Sequence, residues 1–224
     1  MKRILPFAGL FALAASLFAC NNPSSEHGKD TSGLHESMSS ARDTILTNRS
    51  GFTLAQQQMM NDMHQMPLTG NADKDYAMMM KSYHQGAIDM SQHEIANGQA
   101  EDLKEIAAKI ISDLKGEIPE LESIFSSLNK APEAYDPKKK DQGFGKVLDE
   151  NMRMMMDMSK MDTSLAADRQ YVAMMIPHHQ SSIFIAEEFL KYGKDARLIA
   201  LSKRIIAIQK EELDNFQNWM DREK

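Results

Sequence analysis

The sequence repeats itself at a constant offset of 95 residues. Identical or similar residues recur at this offset along most of the chain: Met59 and Met154, Tyr76 and Tyr171, Met80 and Met175, His84 and His179, Gly98 and Gly193, and Glu117 and Glu212. A duplicated unit usually packs against its own copy, because neither copy alone covers its apolar face. Both copies are therefore expected to belong to one folded domain.

Each copy is predicted to be helical. Apolar residues recur at helical spacing, and neither copy contains an alternating strand pattern bounded by turn signals. Each copy is expected to contain a short methionine-rich helix and then two long helices, near 53–66, 73–97 and 100–128 and near 144–161, 164–192 and 195–222. Gly98 and Gly193 are expected to end the first long helices. Two such hairpins packed face to face form an all-α four-helix bundle.

The N-terminus has the features of a bacterial lipoprotein signal peptide over residues 1–19. Lys2 and Arg3 precede an apolar run that is too short and wrongly flanked to be a membrane-spanning helix. Ala19 precedes Cys20, the only cysteine, and we expect Cys20 to become the acylated N-terminus. The protein is therefore predicted to be exported and anchored to a membrane by lipid, facing the periplasm or the cell exterior.

The predicted organisation after the signal peptide follows from composition. Residues 20–51 are polar and are expected to form a flexible tether. The first repeat spans 52–129, a proline- and lysine-containing linker spans 130–143, and the second repeat spans 144–224. Loss of the two signal-peptide cations leaves 24 of the 26 basic residues against 32 acidic ones, a formal charge of −8. A protein this acidic is not expected to bind nucleic acid.

Polar residues interrupt the apolar stripes of the second long helices. Glu117 lies in the middle of the first stripe, and Gln209 and Glu212 lie in the middle of the second. A buried carboxylate is costly unless another group pairs with it. Histidines on the inward faces of the first long helices, His84 and His179, are the expected partners.

Methionine and histidine share those inward faces. Met80 with His84, and Met175 with His179, are i,i+4 pairs that can each contact one ion. The chain has 19 methionines and one cysteine, and thioether with neutral imidazole suits Cu(I). Glu117, Glu212 and Gln209 would then lie behind the ligands, with each glutamate orienting a histidine through its second nitrogen. Alternatively, the glutamates bind a harder metal such as Zn or Mn.

Two further residues stand beside the second pair. His178 points about 100° away from His179 around the helix. It therefore cannot bind the same ion from the same face, and we expect it to pair with Met174 or with solvent. Pro177 directly precedes it and removes one backbone donor from the helix.

The short methionine-rich helices are a second candidate copper site. Met59, Met63 and Met66 share one face of the first, close to His64, and the matching face of the second carries Met154, Met158 and Met161. Methionines at this spacing can bind Cu(I) through sulfur alone. They can equally fill the end of the bundle as flexible apolar side chains.

Two other functions compete with copper binding. A lipid-anchored structural or adaptor bundle needs only a buried histidine–glutamate network. A ferritin-like di-metal oxidase needs Glu-x-x-His motifs on core helices, and the sequence contains none. With no thiol except Cys20 and no phosphate-binding loop, we predict a binding protein and no enzyme.

The stretch Met175-Ile176-Pro177-His178-His179-Gln180, with a weaker copy from Met80 to Gln85, resembles the bacterial domain-of-unknown-function 305 family. The resemblance covers about 73–224. It implies a ferritin-like helical bundle, an exported location and an association with copper. The first copy lacks the proline and the first histidine, so a site that depends on both is implied only for the second copy.

Overall fold

A computed structural model describes residues 51–128, 132–157, 162 and 164–223. Six helices follow in order: α1 Gly51–Gln65, α2 Ala72–Asn97, α3 Glu101–Ser127, α4 Gly143–Asp157, α5 Ala167–Tyr192 and α6 Ala196–Arg222. The described residues contain no β-strand, and the all-α prediction is confirmed. The signal peptide, Cys20, nearly all of the predicted tether, Met158 and Met161 lie outside the described residues. Within these ranges, no helix is long and apolar enough to cross a membrane.

Local sequence signals account for several helix boundaries. The side chain of Asn71 accepts a hydrogen bond from the backbone of Lys74 and caps the start of α2. Asp195 caps α6 in the same way by accepting from residues 197–198. Apolar residues recur every three or four positions on α3 and α6, as predicted, and these faces supply most of the buried leucines and isoleucines among the described residues.

The four long helices form two antiparallel hairpins, α2–α3 and α5–α6. The hairpins meet mainly through α2 and α5, while α1 packs on α2 and α4 packs on α5. Two clusters of buried apolar side chains fill the interior, and methionines contribute to both. The inward faces of α2 and α5, which carry the candidate ligands, therefore lie against each other in the middle of the bundle.

The repeats interlock through a reciprocal pair of aspartates on α2 and α5. Asp73 Oδ1 accepts hydrogen bonds from the backbone N–H groups of residues 194–195, at 2.8 and 3.0 Å. Its repeat mate, Asp168, accepts from residues 99–100, both at 2.9 Å. The first long helix of each repeat thus holds the hairpin turn of the other repeat, and the duplication is preserved as a pseudo-twofold relation.

The turn glycines end α2 and α5 as predicted, but for a different physical reason. Gly98 and Gly193 have φ values of −68° and −61°, which any residue can adopt. A Cβ atom at Gly98 would lie 2.3 Å from Glu94 Oε1, and one at Gly193 would lie 2.4 Å from the Phe189 ring. At Gly98 a Cβ atom would also lie 2.8 Å from the backbone oxygen of Glu94, so the close approach of the preceding turn favours glycine there, and at Gly193 the Phe189 ring would have to move.

Candidate metal centre

Two histidine–glutamate pairs lie in the core and are related by the repeat. His84 Nε2 is 2.9 Å from Glu117 Oε2, and His179 Nε2 is 2.8 Å from Glu212 Oε2. All four residues are buried. Each pair joins the two long helices of one hairpin, and each carboxylate holds its imidazole in a defined orientation.

His178 lies at the pseudo-twofold axis of the bundle. Its repeat mate is Tyr83, and the two rings contact each other edge-on with centroids 5.2 Å apart. A residue that touches its own repeat mate must lie close to the axis that relates the copies. The ring of His178 is also 5.7 Å from that of His179. We call His84, His178 and His179 the buried histidine centre.

The buried histidine centre contains ring nitrogens that lack hydrogen bonds. Nδ1 of His84, Nδ1 of His179 and both nitrogens of His178 are buried and make no hydrogen bond of ordinary geometry among the described residues; His178 has only a weak contact with the backbone of Tyr83. A buried polar group left without a partner costs about 1–3 kcal/mol. A ligand that bonds to these nitrogens would recover part of that cost.

His178 is held in its neutral form. Burial lowers the pKa of its imidazole well below the usual value, and the neighbouring imidazoles of His179 and His84 lower it further. The expectation that His178 meets solvent is wrong, because only 1% of its surface is exposed. A neutral imidazole has one nitrogen lone pair available, and this is the form that binds metals.

Thioethers surround the same part of α2 and α5. Met80, Met174 and Met175 are almost completely buried. The hydroxyl of Ser182, one turn beyond His178 on α5, donates to Met80 Sδ at 3.4 Å, so this sulfur faces α5. In the described ranges, no three His, Cys, Asp or Glu side chains are grouped so that they could hold one metal ion. The donors that stand beside the imidazoles are these soft sulfur atoms.

The carboxylate of Glu117 has a second partner from the other repeat. Arg204 Nε on α6 is 3.4 Å from Glu117 Oε1, and its guanidinium also bonds Glu120 at 2.5 Å. Gln209, which interrupts the same stripe of α6, is buried with its Oε1 unbonded among the described residues. The two glutamates that interrupt the apolar stripes therefore lie next to the histidines, as the helical wheel indicates.

The methionines of the short helices occupy unequal environments. Met59 and Met63 of α1 are buried, whereas Met154 of α4 is 39% exposed, and Met158 lies outside the described residues. A Cβ atom at Gly86 would lie 2.6 Å from Met59 Sδ. Met59 therefore packs directly onto the backbone of α2, within one turn of His84.

A polar network on the other side of the axis was not predicted. The hydroxyl of Tyr83 is 2.7 Å from Asn151 Oδ1 and 2.7 Å from Ser181 Oγ, and Asn151 also donates to Ser181. The offset of 95 residues pairs Tyr83 with His178, and this relation is the sequence signal that could have found the network. It connects α4 to the buried histidine centre.

Comparison with solved structures finds the same fold in CopM. A silver-bound form is 26% identical, with a TM-score of 0.51, and the match covers 70% of this chain and 98% of that one. A Cu(II)-bound form is 25% identical, with a TM-score of 0.50, over 67% of this chain and 97% of that one. A Cu(I)-bound form, 24% identical with a TM-score of 0.51, covers 67% and 96% and supports the fold alone.

Sequence comparison gives the family. No curated protein shows significant similarity to this chain. The family model described as "Domain of unknown function (DUF305)" matches residues 21–125 and 73–220, so that nearly all of the folded repeats is covered. The resemblance inferred from the repeated histidine motif is confirmed: the chain belongs to the DUF305 family.

Proposed function

We propose that this protein binds copper at the buried histidine centre and buffers it or passes it on. The observation that carries the proposal is the set of buried ring nitrogens that lack hydrogen-bond partners beside buried thioethers. CopM, which shares the fold and 26% of the aligned residues, has silver-bound, Cu(I)-bound and Cu(II)-bound forms. Family, fold and donor atoms thus support the same class of function.

The donor set favours the cuprous ion. Met80 with His84, and Met175 with His179, supply one neutral sulfur and one neutral nitrogen from the same face of a helix. Cu(I) accepts soft, uncharged ligands in small number, whereas Zn and Mn take more carboxylate or thiolate. Glu117 and Glu212 bond the Nε2 atoms, which leaves the Nδ1 atoms to face the ion.

Further donors come from the neighbouring turns. Ser181 contacts Tyr83. The repeat mates of these two residues are Gly86 and His178, and Met59 Sδ lies in the space beside Gly86. The pseudo-twofold relation therefore predicts that the Met59 sulfur lies on the His178 side of the core. With Met174 on the same helix as His178, these thioethers are available to complete the coordination of a bound ion.

We also propose that the copper site works outside the cytoplasm. Cleavage before Cys20 and acylation of its thiol would anchor the chain to a membrane through a polar tether. Methionine is a suitable copper ligand there, because thioethers keep their function where free thiols become oxidised. The protein is proposed to bind and transfer the ion without catalysing a reaction.

One observation favours a second candidate, a structural bundle without metal. Two of the three histidines of the buried histidine centre, His84 and His179, already bond a glutamate, and such a pair can serve packing alone. A hard-metal site that uses Glu117 or Glu212 as ligands would first have to break these hydrogen bonds. A measurement of metal selectivity distinguishes the structural bundle and the hard-metal site from the copper proposal.

Titration of the metal-free full-length chain with Cu(I) against a chromophoric chelator, beside Zn(II), tests the proposal. Changing Met80 and Met175 to Leu, and His84 and His179 to Gln, is expected to weaken Cu(I) binding by about 100-fold or more. Leucine conserves the apolar volume, and glutamine keeps a donor for each glutamate, so the bundle stays folded. Thermal unfolding followed by circular dichroism checks that it does.

The matched control combines Met90→Leu with His93→Gln, a buried methionine and a partly exposed histidine on α2. This variant is expected to bind Cu(I) like the unchanged chain. Equal Cu(I) affinity in the four-residue variant would contradict the proposed site. Zn(II) binding tighter than Cu(I) binding would favour the hard-metal site, and no binding of either ion would leave the structural bundle.

A further inference from the structure

A second cluster of methionines lies apart from the buried histidine centre. A cavity of about 260 Å³ opens between the end of α1, the segment that follows it, and α4. Its lining contains five thioethers from three helices and one loop: Met63, Met66, Met79, Met152 and Met156. We call these five residues the methionine pocket. Three of them, Met79, Met152 and Met156, belong to neither methionine pattern found in the sequence.

The sulfur donors of the methionine pocket extend from the surface into the core. Met156 is 47% exposed, whereas Met63 and Met79 are 4% and 2% exposed. Met152 and Met156 are one turn apart on α4 and therefore share a face. An ion arriving from solvent would meet flexible thioethers at the rim and more constrained ones behind them.

His64 lies at the same cavity with a defined tautomer. Its Nδ1 is 2.8 Å from the carbonyl oxygen of Met60, and a carbonyl only accepts, so Nδ1 carries the proton. The lone pair is then on Nε2. His64 is exposed and lines the cavity, so this nitrogen is available to a metal ion. A hydrogen bond from the other ring nitrogen is the usual way in which a metal-binding imidazole is oriented.

The charges around the pocket disfavour a divalent ion more than a monovalent one. Lys140 Nζ is 3.3 Å from Asp149 Oδ1, and Arg153 bonds the other oxygen of Asp149. These three lining residues carry a net charge of +1, which repels a divalent ion twice as strongly as a monovalent one. Asp149, the only carboxylate among the lining residues, pairs with both Lys140 and Arg153. The donors left for a bound ion are therefore mainly thioethers.

The two repeats differ at the rim of the methionine pocket, and this difference argues that Met152 and Met156 do more than fill apolar space. The mates of Met152 and Met156 are Gln57 and Asn61, so the equivalent positions of the first repeat carry polar residues. The duplication therefore does not account for methionine at these two positions, and the exposure of Met156 shows that burial does not require it either.

We propose that the methionine pocket, with His64, is a separate binding site for one soft monovalent cation, Cu(I), at the surface of the bundle. This inference rests on the proposed function, because it assigns a capture site to the same cargo. Thioether and imidazole donors match Cu(I), and the open rim lets the ion exchange with solvent, which the buried histidine centre does not.

Counting bound Ag(I), a stable probe for Cu(I), in the full-length chain tests the inference. The pocket variant changes Met66, Met152 and Met156 to Leu and His64 to Gln. After dialysis against chloride-free buffer with excess Ag(I), it is expected to hold one ion fewer than the unchanged chain. Methyl signals of [ε-¹³C]methionine should shift for Met152 and Met156 when the first Ag(I) equivalents bind.

Met220→Leu is the matched control, because Met220 is a half-buried methionine on α6 that does not line the pocket and belongs to neither candidate copper site. It is expected to keep every Ag(I) ion. An unchanged ion count in the pocket variant would overturn the inference, and so would an equal loss in the control, which would indicate non-specific binding to surface thioethers. The four-residue variant of the buried centre distinguishes the two proposals: if only that variant loses an ion, the pocket fails and the copper function stands. If only the pocket variant loses one, the buried site fails and the pocket stands.

Discussion

Replacement of both Asp73 and Asp168 by alanine is expected to lower the free energy of unfolding by about 4 kcal/mol. Each carboxylate accepts two backbone N–H groups at the start of a helix in the other repeat. A hydrogen bond to a charged group contributes about 1.5–3 kcal/mol, and partial access of water to the turns reduces the sum. The variant loses the contacts that hold each hairpin turn against the opposite repeat.

Urea unfolding followed by circular dichroism measures this effect. Asparagine at both positions keeps an acceptor but removes the charge, so we expect it to restore about half of the loss. Asp89→Ala is the control, because Asp89 lies on α2 and accepts a hydrogen bond from Gln85 at the surface, within its own helix. It is expected to change the free energy of unfolding by less than about 0.5 kcal/mol. A double-alanine variant as stable as this control would show that the aspartates do not join the repeats.

The stability of the bundle is also expected to fall as the pH rises from about 5 to about 9, because of Glu94. Burial, with a smaller contribution from the neighbouring Asp168 and against the opposing effect of Lys104, raises the pKa of this carboxyl from 4.5 to about 8. The folded protein therefore holds a proton that the unfolded chain releases above about pH 4.5. The stabilisation is complete below that pH and is lost as the pH rises through about 8.

The free energy of unfolding is expected to fall by about 3 kcal/mol over this pH range. This is less than the full pKa shift of Glu94 implies, because water screens part of the interaction. Glu94→Gln removes the ionisable group, so its stability should vary less with pH than that of the unchanged chain. Glu101→Gln is the control, since Glu101 lies on α3 and pairs with Lys104 at the surface. The explanation is wrong if the urea midpoints of the Glu94→Gln variant and the unchanged chain depend on pH in the same way.

Both predicted effects involve the turn between α2 and α3, and the equivalent turn of the second repeat is built differently. Glu94 lies over Gly98, whereas its repeat mate Phe189 lies over Gly193. The second repeat fills this space with an aromatic ring, and the first fills it with a carboxyl beside Asp168. The same backbone geometry thus carries a pH-sensitive group in only one of its two copies.

Helical periodicity and the offset of 95 residues were sufficient to predict the all-α fold and the order of the helices. They also placed Glu117 and Glu212 among apolar residues and His84 and His179 on the facing helices, and the structure joins these residues in pairs. Such predictions succeed because the face of a helix that a residue occupies is a local property of the sequence. A buried carboxylate then requires a partner, and few residues were available.

Tertiary structure alone decided which of these faces meet. It brought Tyr83 against its mate His178, buried that histidine, and crossed Asp73 and Asp168 to the opposite repeats. It also gathered the methionine pocket from α1, the segment after it, α2 and α4, with Met79, Met152 and Met156 outside both sequence patterns. Periodicity in the sequence indicates which face of a helix is buried. Which other helix covers that face depends on packing between segments far apart in the chain, because close packing is a property of the whole interior.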